Sequence, residues 1–131
     1  MTSAELKTLR ESLGLSVAWV AASAGVQRRT VEYWEAGRMA VPADVEKTIR
    51  AIDWQFNHSA KQALQIAQEQ RAIHGEPKTV DLRRYRTDHA LWEARTDMHG
   101  FPVTAHASLL DRSRRLLEED GFVVTINYAD N

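Results

Sequence analysis

Residues 16–38 read SVAWVAASAGVQRRTVEYWEAGR and decide the predicted fold. Ser16 is a good N-cap for a short helix, and Gly25, which soon follows, permits a left-handed turn. A second helix is predicted from about Gln27 to Ala36, and Gly37 ends it. Two short helices joined at residues 24–26 are typical of a helix-turn-helix motif.

The second helix of this pair is predicted to have two distinct faces. Apolar side chains at positions 26, 31 and 34 point into the core at helical spacing. The opposite face then carries Arg28, Arg29, Glu32 and Tyr33. In a DNA major groove, arginine pairs with guanine, glutamate accepts from cytosine N4, and tyrosine contacts a thymine methyl or a phosphate. The pattern therefore predicts a helix that reads DNA bases.

Glu35 is predicted to be a structural partner of an arginine such as Arg10, and not a base reader.

The flanking sequence completes a small helical domain. Thr2 and Glu5 fit a capping box at the start of a first helix, which Gly14 ends. Pro42 stands where a fourth helix is predicted to begin, with an apolar stripe that reaches Phe56. Residues 59–73 form either a further helix or a continuation of the fourth, and the segment 74–77 breaks it.

The remaining sequence predicts a short strand-helix-helix-strand region. Thr79–Tyr85 alternates like a strand, Thr87 and Thr104 are candidate helix caps, and Phe122–Tyr128 is a second strand. Two strands alone make a marginal sheet, so we expect this region to form a subunit interface. The predicted organisation is a DNA-binding domain at 1–56, a connecting helix and linker at 57–78, and a dimerisation region at 79–131.

The composition of the chain excludes several classes of site and cellular location. The 131 residues include no cysteine, which excludes disulfides and thiolate metal sites, and the net charge is −1. No signal peptide or membrane span is recognised, which predicts a cytoplasmic protein without membrane contact. A chain this close to neutral does not by itself indicate a nucleic-acid partner, so local placement of charge has to supply the affinity.

Several residues of the central stretch also carry a resemblance to a known family. The spacing Ser16-x4-Ala21-x3-Gly25-Val26-x3-Thr30-Val31-x2-Trp34-Glu35-x-Gly37-Arg38 resembles lambda-repressor-like, XRE-type helix-turn-helix regulators over roughly residues 3–56. Residues 32–38 with 41–45 resemble more closely the anti-CRISPR-associated repressors and their uncharacterised bacterial relatives. The sequence departs from the family pattern at Val17, Trp19 and Gln27.

The resemblance implies a mainly α protein, with a lambda-repressor-like helix-turn-helix bundle and a small α+β C-terminal dimerisation region. It implies a homodimer that binds an inverted repeat in double-stranded DNA and represses its own or a neighbouring operon. Arg29, Glu32 and Tyr33 would lie at base-reading positions, and Thr30 and Arg38 near phosphates. The complete set of predicted DNA-contacting residues is Ser16, Gln27, Arg28, Arg29, Thr30, Glu32, Tyr33 and Arg38.

Other function classes have less support in the sequence. The histidines at 74, 89, 99 and 106 match no metal-ligand spacing, and the carboxylates at 118–120 lack a nucleophile or base at motif spacing. We therefore expect no enzyme activity, no catalytic residue, no metal and no cofactor. The basic clusters at 83–86 and 112–115 are predicted to be solvated surface. The alternative function is an antitoxin-like module whose C-terminal region binds another, unknown protein.

Overall fold

A computed structural model describes residues 1–75 and 78–130 of the chain. The protein is mainly helical, and its internal contacts divide it into two units, Met1–Gln55 and Phe56–Asn131. The helix that contains residues 59–73 ends at His74, inside the segment 74–77 that is predicted to break it, and residues 76 and 77 of that segment lie outside the described residues. The elements, in chain order, are α1 (Ser3–Ser12), α2 (Val17–Ala24), α3 (Arg28–Glu35), α4 (Ala43–His74), β1 (Thr79–Arg84), α5 (Asp88–Ala94), a 3₁₀ turn (Thr96–Met98), α6 (Val103–Glu119) and β2 (Val123–Tyr128).

The N-terminal unit contains the predicted helical bundle. Thr2 caps α1 as expected, because its side-chain oxygen accepts a hydrogen bond from the Glu5 N–H at 3.1 Å. Helices α1 and α2 both pack against α3. Apolar side chains from all four helices fill the core, which supplies the main stabilisation of the unit. The buried residues are Leu6, Leu13, Leu15, Val20, Ala21, Val31, Trp34, Val45, Ile49 and Ile52.

Helix α4 is a single helix of 32 residues and belongs to both units. The sequence left open whether residues 59–73 form a separate helix, and the structure shows that they continue the fourth. The segment from Ala43 to His74 contains neither glycine nor proline, so nothing in its sequence interrupts the backbone hydrogen bonds. Pro42 precedes the helix, and Gly75 with φ +69° follows it.

The C-terminal unit is built around two parallel strands. Thr79 of β1 pairs with Val123 of β2, and the register continues to Arg84 opposite Tyr128. Parallel strands need a long crossover, which α5, the 3₁₀ turn and α6 provide. One face of the sheet, with Val80 and Val124, packs on a buried cluster of Ala67, Leu117 and Phe122.

The start of α6 differs from the sequence prediction. Thr104 is not the cap, because the helix already begins at Val103 and its N-cap position is Pro102, which has no side-chain donor or acceptor. The carboxylate of Asp88, at the start of α5, accepts from the Val103 N–H at 2.8 Å instead. A side chain distant in sequence thus satisfies a helix N-terminus, whereas Thr87 caps α5 locally as predicted.

His106 lies in the interior of the C-terminal unit, with 1% of its surface exposed. Within the described residues its Nδ1 has no hydrogen-bond partner, and its ring lies 5.5 Å from that of Tyr85. Burial lowers the pKa of His106 to about 4, since the charged imidazolium loses its hydration, and nearby Arg95 acts in the same direction. No helix in the described part of the chain is long and apolar enough to cross a membrane.

Candidate nucleic-acid interface

The α2–α3 pair has the local geometry that its sequence predicts. The Ser16 side chain caps α2 by accepting from the Trp19 N–H at 3.0 Å. Gly25 follows α2 with φ +69° and ψ +33°, a left-handed conformation that costs glycine little. The Val26 N–H then donates to the Ala21 carbonyl at 3.0 Å, which closes the turn. Gln27 occupies the N-cap of α3 but makes no side-chain cap bond.

Helix α3 has one buried and one exposed face. Val31 and Trp34 are buried in the core of the N-terminal unit. Arg28, Arg29 and Glu32 are exposed. Thr30 and Tyr33 are half-buried at the edges of that surface. The structure therefore brings the predicted α3 residues together on one helix surface, with Gln27 exposed at its N-terminal end.

Ion pairing separates the arginines of this unit into two groups. Arg10 pairs with Glu35, and Arg50 pairs with Glu46 and Glu5. Within residues 1–75 and 78–130, the structure gives no carboxylate partner to Arg28, Arg29 or Arg38. These three cations lie on α3 or three residues beyond it, so the uncompensated arginine charge is concentrated around one helix.

The predicted link between Glu35 and Arg10 is confirmed. Arg10 Nε and Nη2 donate to the two carboxylate oxygens of Glu35 at 2.6 and 2.9 Å, and Nη1 donates to the Leu15 carbonyl at 3.0 Å. The hydrogen bonds to Glu35 raise the pKa of Arg10 above its usual value, although burial opposes them. This two-point contact fixes the C-terminal end of α3 to α1.

The chain reverses at the end of α3. Gly37 has φ +79°, and the Arg38 N–H donates to the Tyr33 carbonyl at 2.9 Å. The Arg38 guanidinium carbon lies 5.5 Å from the centre of the Tyr33 ring. The sequence predicts separate DNA contacts for these two residues and gives no indication that they touch each other. Gly37 is the signal that could have indicated it, since a left-handed C-terminal glycine returns the chain toward the last helical turn.

Residues 3–53 match the protein family described as "Helix-turn-helix domain". This segment is a helix-turn-helix domain. The chain is also similar to the Aca2 repressor of Pectobacterium phage ZF40, with 48% identity over 48 residues. The matched part is 36% of this chain and 41% of that repressor, so the chain spans less than half of its relative's length. Both matches confirm the predicted resemblance to XRE-like helix-turn-helix regulators, close to the anti-CRISPR-associated branch.

The basic clusters outside the helix-turn-helix domain are largely paired within the protein. Arg83 pairs with Asp81, and Arg86 pairs with Asp130 while lying 3.7 Å from the Tyr128 ring centre. Arg114 and Arg115 both pair with Asp111. Neutralised guanidinium groups of this kind are weaker candidates for DNA phosphates than the arginines around α3.

Proposed function

We propose that the chain is a sequence-specific DNA-binding regulator of transcription, with α3 as its recognition helix. The observation that carries the proposal is the exposed face of α3, whose arginines have no carboxylate partner within residues 1–75 and 78–130 and lie opposite the buried Val31 and Trp34. Guanidinium groups left without a protein partner are available for base edges and phosphates. A recognition helix of this kind lies in the major groove and contacts bases from its N-terminal part.

The predicted contacts divide into two kinds. Arg29 and Glu32 are proposed to contact base edges, because both are exposed on α3. Thr30 and Arg38 are proposed to contact phosphates at the margins of the same surface, and Tyr33 lies at a position that the family resemblance implies is base-reading. Ser16, Gln27 and Arg28 are proposed as further DNA contacts. Ser16 keeps its hydroxyl hydrogen as a donor, since its oxygen accepts from the Trp19 N–H.

The regulator is proposed to act as a homodimer on an inverted repeat. The sheet of the C-terminal unit has two strands among the described residues, and none of those residues adds a third strand to either outer edge. On β2, Val123 and Ile126 are 60% and 40% exposed. Exposed strand edges and apolar side chains favour association, and strand pairing across a two-fold axis would remove one exposed edge from each subunit. An occupied operator would then block polymerase, and the similar phage protein is itself named a repressor.

Selection of bound duplexes from a random DNA pool tests the proposal directly. We expect enriched sequences with two inverted half-sites whose centres lie about 34 Å apart, or a multiple of that distance. Arg29→Ala should weaken binding to the enriched duplex by about 1–3 kcal/mol and relax the preference at one base pair per half-site.

Arg50→Ala is the matched control for this substitution. It also removes an exposed arginine from the N-terminal unit, but that arginine pairs with Glu46 and Glu5 and lies outside α3. We expect the base preferences of Arg50→Ala to equal those of the wild type. A pool without enrichment, or an equal loss of preference in both variants, would contradict the assignment of α3 as the recognition helix.

A further inference from the structure

The end of α3 places Tyr33 and Arg38 in contact through the backbone. Gly37 adopts φ +79°, and the two N–H groups that follow it both point to the Tyr33 carbonyl. The Arg38 N–H donates to that oxygen at 2.9 Å, and the Met39 N–H lies 3.3 Å from it. The position of Arg38 relative to Tyr33 is therefore set by hydrogen bonds as well as by side-chain contact.

The side chains of these residues also meet. The Arg38 guanidinium carbon lies 5.5 Å from the Tyr33 ring centre, within the range of a cation–π contact. Among the described residues no carboxylate pairs with Arg38, so the aromatic ring is the charge-stabilising neighbour that the structure gives this cation. A free arginine side chain has many rotamers, and contact with a half-buried ring restricts them before any ligand binds.

We propose that Tyr33 is a positioning residue, which holds the Arg38 guanidinium ready for a DNA phosphate and does not itself read a base. This inference rests on the proposed function, because it concerns how the same α3 surface binds DNA. It changes the role assigned to Tyr33 from the sequence. A residue that acts through a phosphate contact contributes affinity without sequence information.

A salt titration of four variants tests this role. The variants are Tyr33→Phe, Tyr33→Leu, Arg38→Ala and the double variant Tyr33→Leu/Arg38→Ala. The probes are a duplex enriched by the wild type from a random pool and a random duplex of the same length. Tyr33→Phe should bind like the wild type, because phenylalanine keeps the ring. Tyr33→Leu should weaken both duplexes alike, by about two- to fivefold, because leucine has no π face.

Arg38→Ala should reduce the slope of log affinity against log salt by about one, as expected for one lost phosphate contact. Tyr33→Leu should shift the slope in the same direction. In the Arg38→Ala background, Tyr33→Leu should change neither affinity nor slope. The slope also controls for misfolding, since an inactive fraction lowers the apparent affinity equally at every salt concentration.

Four results would overturn the inference while leaving the recognition helix intact. An equal loss of DNA affinity in Tyr33→Phe and Tyr33→Leu would show that the Tyr33 hydroxyl contacts DNA. A loss of affinity confined to the enriched duplex would show that Tyr33 reads a base. If Tyr33→Leu weakened binding as much in the Arg38→Ala background as in the wild type, the ring would contact DNA directly. An unchanged salt slope in Arg38→Ala would remove the phosphate contact altogether. If the wild type bound no duplex at all, the proposed function itself would fail.

Discussion

Arg10 and Glu35 form an enclosed ion pair, with 12% and 8% of their side chains exposed. Glu35→Ala should lower the free energy of unfolding by about 3 kcal/mol, because the Arg10 guanidinium would remain largely enclosed without its carboxylate. Urea unfolding of the full chain measures this loss. Glu5→Ala is the control, since Glu5 pairs with Arg50 where both side chains are half exposed, and its effect should be much smaller. Equal losses of unfolding free energy in the two variants would show that burial of the Arg10–Glu35 pair does not increase its contribution to stability.

His106 should make the stability of the C-terminal unit depend on pH. Its pKa is about 4 in the folded protein, against roughly 6.5 in an unfolded chain. Between these values the unfolded state binds a proton that the folded state excludes, so acidification favours unfolding. Stability is fully present above about pH 6.5 and falls by about 2–3 kcal/mol as the pH approaches 4.5.

The His106→Leu variant isolates this contribution from that of the acidic residues. Leucine fills the buried site without titrating, so the variant should lose less stability than the wild type between pH 7 and pH 4.5. Chemical denaturation at the two pH values gives the comparison. Parallel losses in the two proteins would show that His106 is readily protonated in the folded state.

At the scale of the elements, α6 depends on a cap that another helix supplies. Asp88→Ala removes the acceptor of the Val103 N–H and should destabilise the protein by about 1 kcal/mol. Asp88→Asn removes the charge but retains an oxygen acceptor, and it should lose less. Thermal unfolding distinguishes the two variants. A wild-type melting temperature for Asp88→Ala would mean that water replaces the carboxylate at no cost.

At the scale of the whole molecule, we expect a two-fold dimer formed through residues 79–131. Sedimentation should show a species of twice 14.9 kDa, and truncation after Gln70 should give a monomer. The physical reason is the two-stranded sheet, which is marginal as an isolated structure and has exposed apolar residues on β2. A full-length monomer at micromolar concentration would contradict the dimer.

The net charge of −1 leads to a second prediction for the whole molecule, which concerns the salt dependence of DNA binding. Residues 1–56 hold seven basic and seven acidic side chains, so attraction to DNA must come from the few arginines around α3. Roughly two to four phosphates per subunit would be neutralised, and the salt slope should be shallower than the −10 or so of a strongly basic repressor. Tight binding to random duplexes, or a steep slope, would show that clusters such as 112–115 also contact DNA.

Local sequence patterns were enough to predict the helix-turn-helix domain and the two faces of α3. Those features depend on local rules, such as the cap at Ser16, the left-handed turn at Gly25 and the spacing of Val31 and Trp34. Such rules act between residues that are close in the chain, so they can be recognised in one amino-acid sequence. The sequence also predicts that Glu35 pairs with an arginine such as Arg10, and the structure confirms this pair.

The features that join residues distant in the chain depend on the tertiary fold. The parallel pairing of β1 with β2 and the cap that Asp88 gives to α6 connect residues 44 and 15 positions apart. No local pattern records such distances, since they depend on how the crossover helices fold back onto the strands. The contact between Arg38 and Tyr33 is shorter in sequence, but it too required the observed backbone reversal at Gly37. The sequence therefore indicates which residues could bind DNA. The fold shows which of them have no carboxylate partner in the described part of the chain and which touch each other.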